Sequence, residues 1–99
     1  MINKKLIIIA TFLLFQLSFS ISNAVEPDEI LSNIQQENRA REISKNIRCM
    51  VCQNQSIDDS SAPLAKDLRI LIRNKIKKGD KDEDIYKFLS DRYGDFILL

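Results

Sequence analysis

The residues of this chain best suited to chemistry are its two cysteines, Cys49 and Cys52, which lie two residues apart in the run IRCMVCQNQ. Two thiols at this spacing can close a small disulfide ring and open it again, which is the property that redox proteins use. A disulfide that serves stability gains more from closing a long loop, and this pair would close a very short one. The spacing therefore favours reversible dithiol chemistry, with a purely structural disulfide as the alternative.

Two other chemistries of a C-x-x-C pair meet obstacles in the sequence. A covalent haem attachment site needs a histidine directly after the second cysteine, but that position is Gln53 and the chain contains no histidine. A closed zinc site takes four Cys or His ligands, so two cysteines would need carboxylates or another subunit to complete it. Ligation of haem iron by a thiolate stays open, which makes Cys49 and Cys52 candidate haem ligands as well.

The first 24 residues predict a secretory signal peptide. Lys4 and Lys5 form a positive n-region, the apolar run LIIIATFLLFQLSFSI covers residues 6–21, and Ser22 and Ala24 are small residues suited to cleavage after Ala24. The run is short for a membrane span, which needs about 20 apolar residues, and an uncut N-terminal anchor is the alternative. Export predicts an oxidising compartment, in which a reductant must maintain any free dithiol.

Residues 25–99 predict one small all-α domain, a three-helix bundle that follows the signal peptide. The first helix is expected from about Ser32 to Ile47, with a narrow apolar edge, and it places Cys49 just past its C-terminal end. The next residues, 53–63, are rich in Asn, Asp and Ser, which favour turns over helices, and Ile57 is their hydrophobic anchor. We therefore expect the cysteines in the loop between the first two helices.

The second predicted helix is the clearest element of the sequence. Ser60 or Ser61 is expected to cap it, Pro63 lies in its first turn, and Gly79 ends it. Apolar residues at spacings of three and four give it one broad face for the core, formed by Leu64, Ala65, Leu68, Leu71, Ile72 and Ile76.

The third predicted helix begins at a capping box made by Asp80 and Glu83. Gly94 ends it. Its apolar side chains are Ile85, Phe88 and Leu89, flanked by Tyr86 and Tyr93. We assign Tyr93, together with Phe96 beyond the helix, to packing.

The position of the cysteines relative to the helices differs from that in a thioredoxin. There the C-x-x-C pair begins a helix, whose positive N-terminal dipole lowers the thiol pKa. Here the pair follows a helix and meets its negative end, an effect that Arg48 and the earlier Arg41 oppose. We therefore expect neither thiol to be as acidic as those of strongly oxidising disulfide enzymes, and the protein to act as a thiol donor or relay.

Further candidates for substrate contact or loop support surround the cysteines, namely Arg48, Met50, Val51, Gln53 and Asn54. Met50 and Val51 are candidates for contact with a substrate segment, although Val51 could instead pack against Ile57. Arg48 either steers a thiolate or a substrate carboxylate, or is a solvated charge at the helix end. The polar residues 54–59 either hold the loop through side-chain to backbone hydrogen bonds or bind a peptide.

The segment IRCMVCQNQSIDDSSAPLAKDLR, followed by RNKIKKGD, DEDIYKFLSDRYGDF and the closing ILL, resembles the periplasmic domain of the cytochrome c maturation protein H family (CcmH/CycL/NrfF). The resemblance covers about Ala40 to Leu99. It implies a three-helix bundle whose active site is the loop between the first two helices. It also implies a periplasmic thiol-disulfide oxidoreductase of c-type cytochrome biogenesis. In that role Cys49 and Cys52 reduce the C-x-x-C-H disulfide of an apocytochrome, or its mixed disulfide, before haem attachment.

The partners that this resemblance implies are apocytochrome c, a periplasmic thioredoxin-like reductant and the membrane-bound subunits of a haem lyase. Thiol exchange needs no tightly bound cofactor, and haem enters through the lyase role. Two alternatives stay open: a non-catalytic subunit that binds haem or apocytochrome, and a binding module whose disulfide never turns over.

Without the predicted leader, the chain is close to neutral. Removing Lys4 and Lys5 with the leader changes the balance from 15 basic and 14 acidic residues to 13 and 14, a net charge of −1. Such an interspersed balance gives no footprint for nucleic acid.

Family members usually continue into a C-terminal membrane helix, which we expect to be missing from this chain. Attachment to the inner membrane is then expected through partners, or through an uncut or missing anchor.

Overall fold

The computed structural model describes residues 3–16, 24–52 and 54–99, and the regular elements in these ranges are helices. They are α1 (Lys4–Gln16), α2 (Ile34–Lys45), α3 (Pro63–Lys77) and α4 (Asp82–Tyr93), with short 3-10 helices at Pro27–Glu29 and Asp95–Ile97. The predicted all-α class is confirmed. The predicted count of three helices is one too low for these residues, because a fourth helix, α1, forms in the predicted signal peptide.

Helix α1 buries none of its 13 residues. No helix in the described ranges is long and apolar enough to cross a membrane. Residues 17–23 of the predicted leader lie outside the described residues, so the signal peptide and its cleavage after Ala24 stay predictions.

Helices α2, α3 and α4 pack around one hydrophobic core. Most of its buried side chains are aliphatic, and burial stabilises each leucine or isoleucine among them by roughly 1.5–3 kcal/mol. The cluster consists of Ala40, Ile43, Ile47, Cys49, Ile57, Ala65, Leu68, Ile72, Ile76, Ile85, Leu89 and Ile97. The predicted apolar edge of α2 and anchor Ile57 are therefore confirmed. On α3 the predicted face is buried except at Leu64 and Leu71, which are half-buried.

The start of α3 differs from the prediction. Pro63 opens the helix as expected, but Ala62 is the N-cap residue and no side chain caps it. The hydroxyl of Ser60 instead accepts a hydrogen bond from the Ala62 N–H at 3.1 Å, one residue before the helix begins. The predicted stop is confirmed, because Gly79 has a φ of +94° that suits glycine.

The start of α4 also differs. Lys81 is the N-cap residue and makes no side-chain cap bond, so the predicted capping box of Asp80 and Glu83 is wrong. The Asp80 carboxylate lies 3.8 Å from Lys75 Nζ instead. Acidic side chains in the first turn still suit the positive end of the helix dipole. Gly94, at φ +92°, ends α4 as predicted.

The C-terminal residues pack back along the segment that leaves α2. Leu98 forms an antiparallel bridge with Ile47, and the Leu99 N–H donates to the Asn46 carbonyl at 2.8 Å. Ile97 is fully buried, but Phe96 exposes 58% of its surface. Phe96 therefore does not pack in the core, whereas Tyr93 packs against it as predicted.

Candidate functional site

The segment between α2 and Cys49 is extended and hydrogen-bonded on both sides. On one side the Ile57 N–H donates to the Ile47 carbonyl at 2.9 Å, and the Cys49 N–H donates to the Gln55 carbonyl at 2.8 Å. On the other side the Arg48 N–H donates to the Ile97 carbonyl at 2.7 Å. Bridges this short leave no alternating pattern in the sequence. They fix the backbone that carries the first cysteine.

The two cysteines are free thiols with unequal exposure. Cys49 exposes 2% of its surface and belongs to the core, whereas Cys52 is half-buried. A tight turn links them, in which the Cys52 N–H lies 3.4 Å from the Cys49 carbonyl. An incoming disulfide can therefore approach Cys52 more readily than Cys49.

The thiol pKa values move in opposite directions. Burial of Cys49 raises its pKa, but hydrogen bonds from Cys52, from Ser60 and from backbone N–H groups outweigh burial and lower it overall. The hydrogen bond with Cys49 raises the pKa of Cys52. The lowered pKa of Cys49 is opposite to the raised pKa that the negative end of the α2 dipole would produce. The loop supplies hydrogen-bond donors that a view of the helix end alone omits.

Ser60 lies against the sulfur of Cys52. The distance between Ser60 Oγ and Cys52 Sγ is 2.8 Å, and Ser60 exposes only 1% of its surface. From the sequence, Ser60 was expected only as a helix cap. A separation of eight residues across a loop carries no periodic signal, so this contact could not be found from spacing.

A buried arginine, Arg69 of α3, holds the base of the loop. It exposes 1% of its surface and donates to the carbonyls of Ile57 at 2.8 Å and Ser60 at 2.7 Å. It also binds both carboxylate oxygens of Glu29, at 2.8 and 3.2 Å, and the Ala24 carbonyl at 2.9 Å. Arg69 was not among the residues predicted for the site, although a charged residue directly after Leu68 on the apolar face of α3 was a signal.

A second buried ion pair lies one turn further along α3. Arg73 donates to the two carboxylate oxygens of Glu37 at 2.9 and 2.7 Å. Burial raises the pKa values of Glu29 and Glu37, but hydrogen bonds from Arg69 and Arg73 respectively, with further donors, lower both overall. Both pairs connect the chain before α2, or α2 itself, to α3.

Arg48 connects the thiol loop to the C-terminal residues. Its Nη1 donates to Asn54 Oδ1 at 2.8 Å and its Nε donates to the Phe96 carbonyl at 3.1 Å. Asn54 has a φ of +56°, a left-handed conformation that asparagine tolerates. Both residues thus support the loop. Gln53, the remaining candidate for support, lies outside the described residues.

The other polar residues of the loop bind one another or the neighbouring helix α2. The Ser56 hydroxyl lies 3.3 Å from Asp59 Oδ2 and accepts from the Asp59 N–H at 3.3 Å. Arg41 lies 2.8 Å from the buried carboxylate of Asp58. Arg41 therefore neutralises Asp58, a pairing that the sequence does not indicate.

Met50 and Val51 form the exposed tip of the loop between the cysteines. Met50 exposes 38% and Val51 68% of its surface, whereas Ile57 is fully buried. The alternative in which Val51 packs against Ile57 is therefore wrong. Two exposed apolar side chains beside the accessible thiol are suited to contact with a bound segment.

The chain is similar to known proteins over most of its length. The CcmH family profile, described as "Cytochrome C biogenesis protein", matches residues 10–99. The chain belongs to the CcmH family. The cytochrome c-type biogenesis protein CcmH of Bradyrhizobium diazoefficiens is 58% identical over 77 residues, which are 78% of this chain and 48% of that protein.

A further relative and one solved structure are also similar to this chain. A formate-dependent nitrite reductase complex bifunctional subunit, NrfFG of Haemophilus influenzae, is 32% identical over 94 residues, 95% of this chain and 24% of that protein. The solution structure of the N-terminal domain of CcmH from Escherichia coli matches with a TM-score of 0.58 at 28% identity, covering 76% of this chain and 91% of that domain. The chain spans about half the length of the CcmH proteins it matches.

Metal chemistry at this CcmH-type site is limited by burial. Within residues 3–16, 24–52 and 54–99, no group of three or more His, Cys, Asp or Glu is arranged to hold a metal ion. Haem ligation by Cys49 does not fit the geometry, because its sulfur is covered by the core. Cys52 is the cysteine that a haem iron could approach.

Proposed function

We propose that this CcmH-family protein is a periplasmic thiol-disulfide oxidoreductase of c-type cytochrome biogenesis. Its substrate is the C-x-x-C-H disulfide of an apocytochrome, which it reduces before haem attachment. One observation carries the proposal: two free thiols linked by a tight turn, one half-buried beside an exposed apolar loop tip and the other buried in the core. The family description supports the role in cytochrome biogenesis.

The reaction is a two-step exchange. The Cys52 thiolate attacks one sulfur of the substrate disulfide, which forms a mixed disulfide and expels the other substrate sulfur to take up a proton. The Cys49 thiolate then attacks Cys52 Sγ, closes the Cys49–Cys52 disulfide and releases the remaining substrate sulfur as a thiol. Two electrons pass from the protein to the substrate, and a thioredoxin-like dithiol restores the reduced protein.

The order of attack follows from the exposure of the two sulfurs. Cys52 attacks first because its sulfur is the one that a folded partner can approach. Cys49 resolves the mixed disulfide because this intramolecular step needs no access from outside. Its lowered pKa also increases the thiolate fraction available for that step.

The surroundings of the thiols support recognition of an extended segment. Met50 and Val51 offer apolar contact next to Cys52, while Arg48 and Asn54 hold the flanking backbone through their own contacts. Membrane-bound haem-lyase subunits complete the proposed assembly.

A second candidate is a non-catalytic subunit that binds the apocytochrome and presents it to the lyase. The exposure of Met50 and Val51 favours it, since binding alone would also use an apolar tip. This candidate requires that peptide affinity be independent of the two sulfurs.

Reduction of a peptide separates the two candidates. The reduced protein is incubated with an oxidised peptide that contains C-x-x-C-H, free thiols are alkylated, and both components are weighed by mass spectrometry. We expect two alkylated cysteines on the peptide and a closed disulfide on the protein. The Cys49→Ser/Cys52→Ser double variant is the control and leaves the peptide oxidised. A peptide that stays oxidised with the wild-type protein, yet binds both proteins with equal affinity, would establish the second candidate instead.

A further inference from the structure

The hydroxyl of Ser60 has one hydrogen bond of fixed direction. Its Oγ accepts the N–H of Ala62 at 3.1 Å, because a backbone N–H can only donate. A serine hydroxyl has one hydrogen to donate as well as lone pairs that accept. Its hydrogen is therefore available for the atom on the other side, and that atom is Cys52 Sγ at 2.8 Å.

The backbone of Ser60 is fixed independently of the sulfur. Its N–H donates to the Ser56 carbonyl at 3.1 Å, and its carbonyl accepts from Arg69 Nη1 at 2.7 Å. With the side chain almost fully buried, the hydroxyl is held in place before a substrate arrives. A donor held in advance needs no reorganisation when charge develops on the sulfur.

We propose that Ser60 is a catalytic residue of the thiol site, whose hydroxyl donates a hydrogen bond to the Cys52 sulfur and stabilises the thiolate that attacks the substrate and later leaves. This inference rests on the proposed exchange function and adds to it a residue outside the C-x-x-C pair. No proton leaves Ser60, because its O–H donates a hydrogen bond and is not ionised. When the thioredoxin-like dithiol restores the reduced protein, its first thiolate attacks Cys52 Sγ and expels Cys49; its second thiolate then closes the reductant's own disulfide and expels Cys52, whose thiolate the same hydroxyl stabilises.

The hydrogen bond from Ser60 should lower the thiol pKa and shift the dithiol–disulfide equilibrium towards the dithiol. A hydrogen bond donated to a charged sulfur favours the thiolate over the thiol. It therefore favours the dithiol form of the protein over its disulfide at pH values where one sulfur is ionised. The hydrogen bonds from Ser60 act to lower the pKa of both cysteines, which is consistent with this direction.

The test compares two β-branched variants of similar shape, Ser60→Thr and Ser60→Val, together with Ser60→Ala. Two quantities are measured on the protein without any peptide: the pH profile of the thiol alkylation rate and the equilibrium constant for disulfide formation with glutathione. For Ser60→Val and Ser60→Ala we expect the lower thiol pKa to rise by about one unit and the equilibrium to move about tenfold towards the disulfide. Ser60→Thr keeps a hydroxyl and is expected to stay close to the wild type.

A control separates this effect from general loosening of the loop. Ser56→Ala removes a hydroxyl that binds Asp59 in the same loop, and it is expected to leave both quantities unchanged. Thermal unfolding of each variant identifies any that fail to fold, and the Thr and Val pair then decides. Equal pKa values and equilibrium constants for Ser60→Val and Ser60→Thr would overturn the proposal. Because no cytochrome peptide is present, failure here is distinct from failure of the peptide reduction.

Discussion

The tip and the base of the thiol loop are built in opposite ways. At the tip, Met50 and Val51 are exposed apolar side chains beside the half-buried Cys52. At the base, Arg69 is buried and binds the carbonyls of Ile57 and Ser60 as well as the carboxylate of Glu29. The base fixes the backbone so that the tip can stay accessible without becoming disordered. This division suits a site that must meet another protein while the backbone that carries its two cysteines stays fixed.

The largest effect is expected at the base. Arg69→Met leaves the Glu29 carboxylate buried without its partner and removes the donor to two loop carbonyls. Loss of one partner of a buried ion pair costs about 3–5 kcal/mol, so we expect the free energy of unfolding to fall by about that amount in urea denaturation. Lys87→Met is the control, because its pair with Asp91 is exposed to solvent and contributes little to stability. Similar losses for the two variants would show that the base is not held by Arg69.

Low pH is expected to destabilise the protein through the paired carboxylates of Glu29 and Glu37. The pKa values of Glu29 and Glu37 are lowered in the folded protein. A carboxylate with a lowered folded pKa stabilises the protein above its unfolded pKa of about 4.3, and that contribution is lost as the pH falls through the folded pKa. We therefore expect the free energy of unfolding to decrease from about pH 5 downwards, as measured by urea titrations at several pH values.

Variants identify the carboxylates responsible for that acid dependence. Glu37→Gln cannot ionise, so its stability should change less with pH below about 5 than that of the wild type. Asp91→Asn removes a carboxylate from an exposed pair and serves as the matched control. An acid dependence that Glu37→Gln leaves as steep as in the wild type would assign the loss to other groups.

The smallest effect on stability, with a clear effect on function, is expected at the tip. The double variant Met50→Ser/Val51→Ser changes exposed side chains, so its free energy of unfolding should stay within about 1 kcal/mol of the wild type. Loss of two apolar contacts should raise the KM for the oxidised peptide about tenfold with kcat nearly unchanged. Ile34→Ser is the control, since Ile34 is 76% exposed at the opposite end of α2. An unchanged KM for the double variant would exclude the tip from substrate contact.

The sequence predicted those parts of the molecule that depend on local signals. The apolar spacing of α3 and the stops at Gly79 and Gly94 are properties of neighbouring residues, and the structure agrees with them. The contact between Arg69 and Glu29 joins residues 40 positions apart, and no periodicity connects them. The bridge between Ile47 and Leu98 is non-local as well.

In the candidate site as well, the local motif could be predicted from the sequence, whereas the contacts between distant residues could not. Cys49 and Cys52 are recognisable from their spacing, but the burial of one and the exposure of the other depend on how the loop folds onto the core. Ser60 was considered only for its propensity to cap a helix, and its contact with sulfur arises because the loop turns back between Ser56 and Ala62. The tertiary environment therefore determines the chemistry that the motif alone leaves open.

The most direct test of the account is to trap the first mixed disulfide. Cys49→Ser and Cys52→Ser variants are each incubated with the oxidised C-x-x-C-H peptide, and adducts are counted by mass spectrometry under identical conditions. Because Cys49 exposes only 2% of its surface, the account predicts that Cys49→Ser accumulates an adduct through Cys52 and that Cys52→Ser accumulates little. An equal or larger adduct with Cys52→Ser would contradict it.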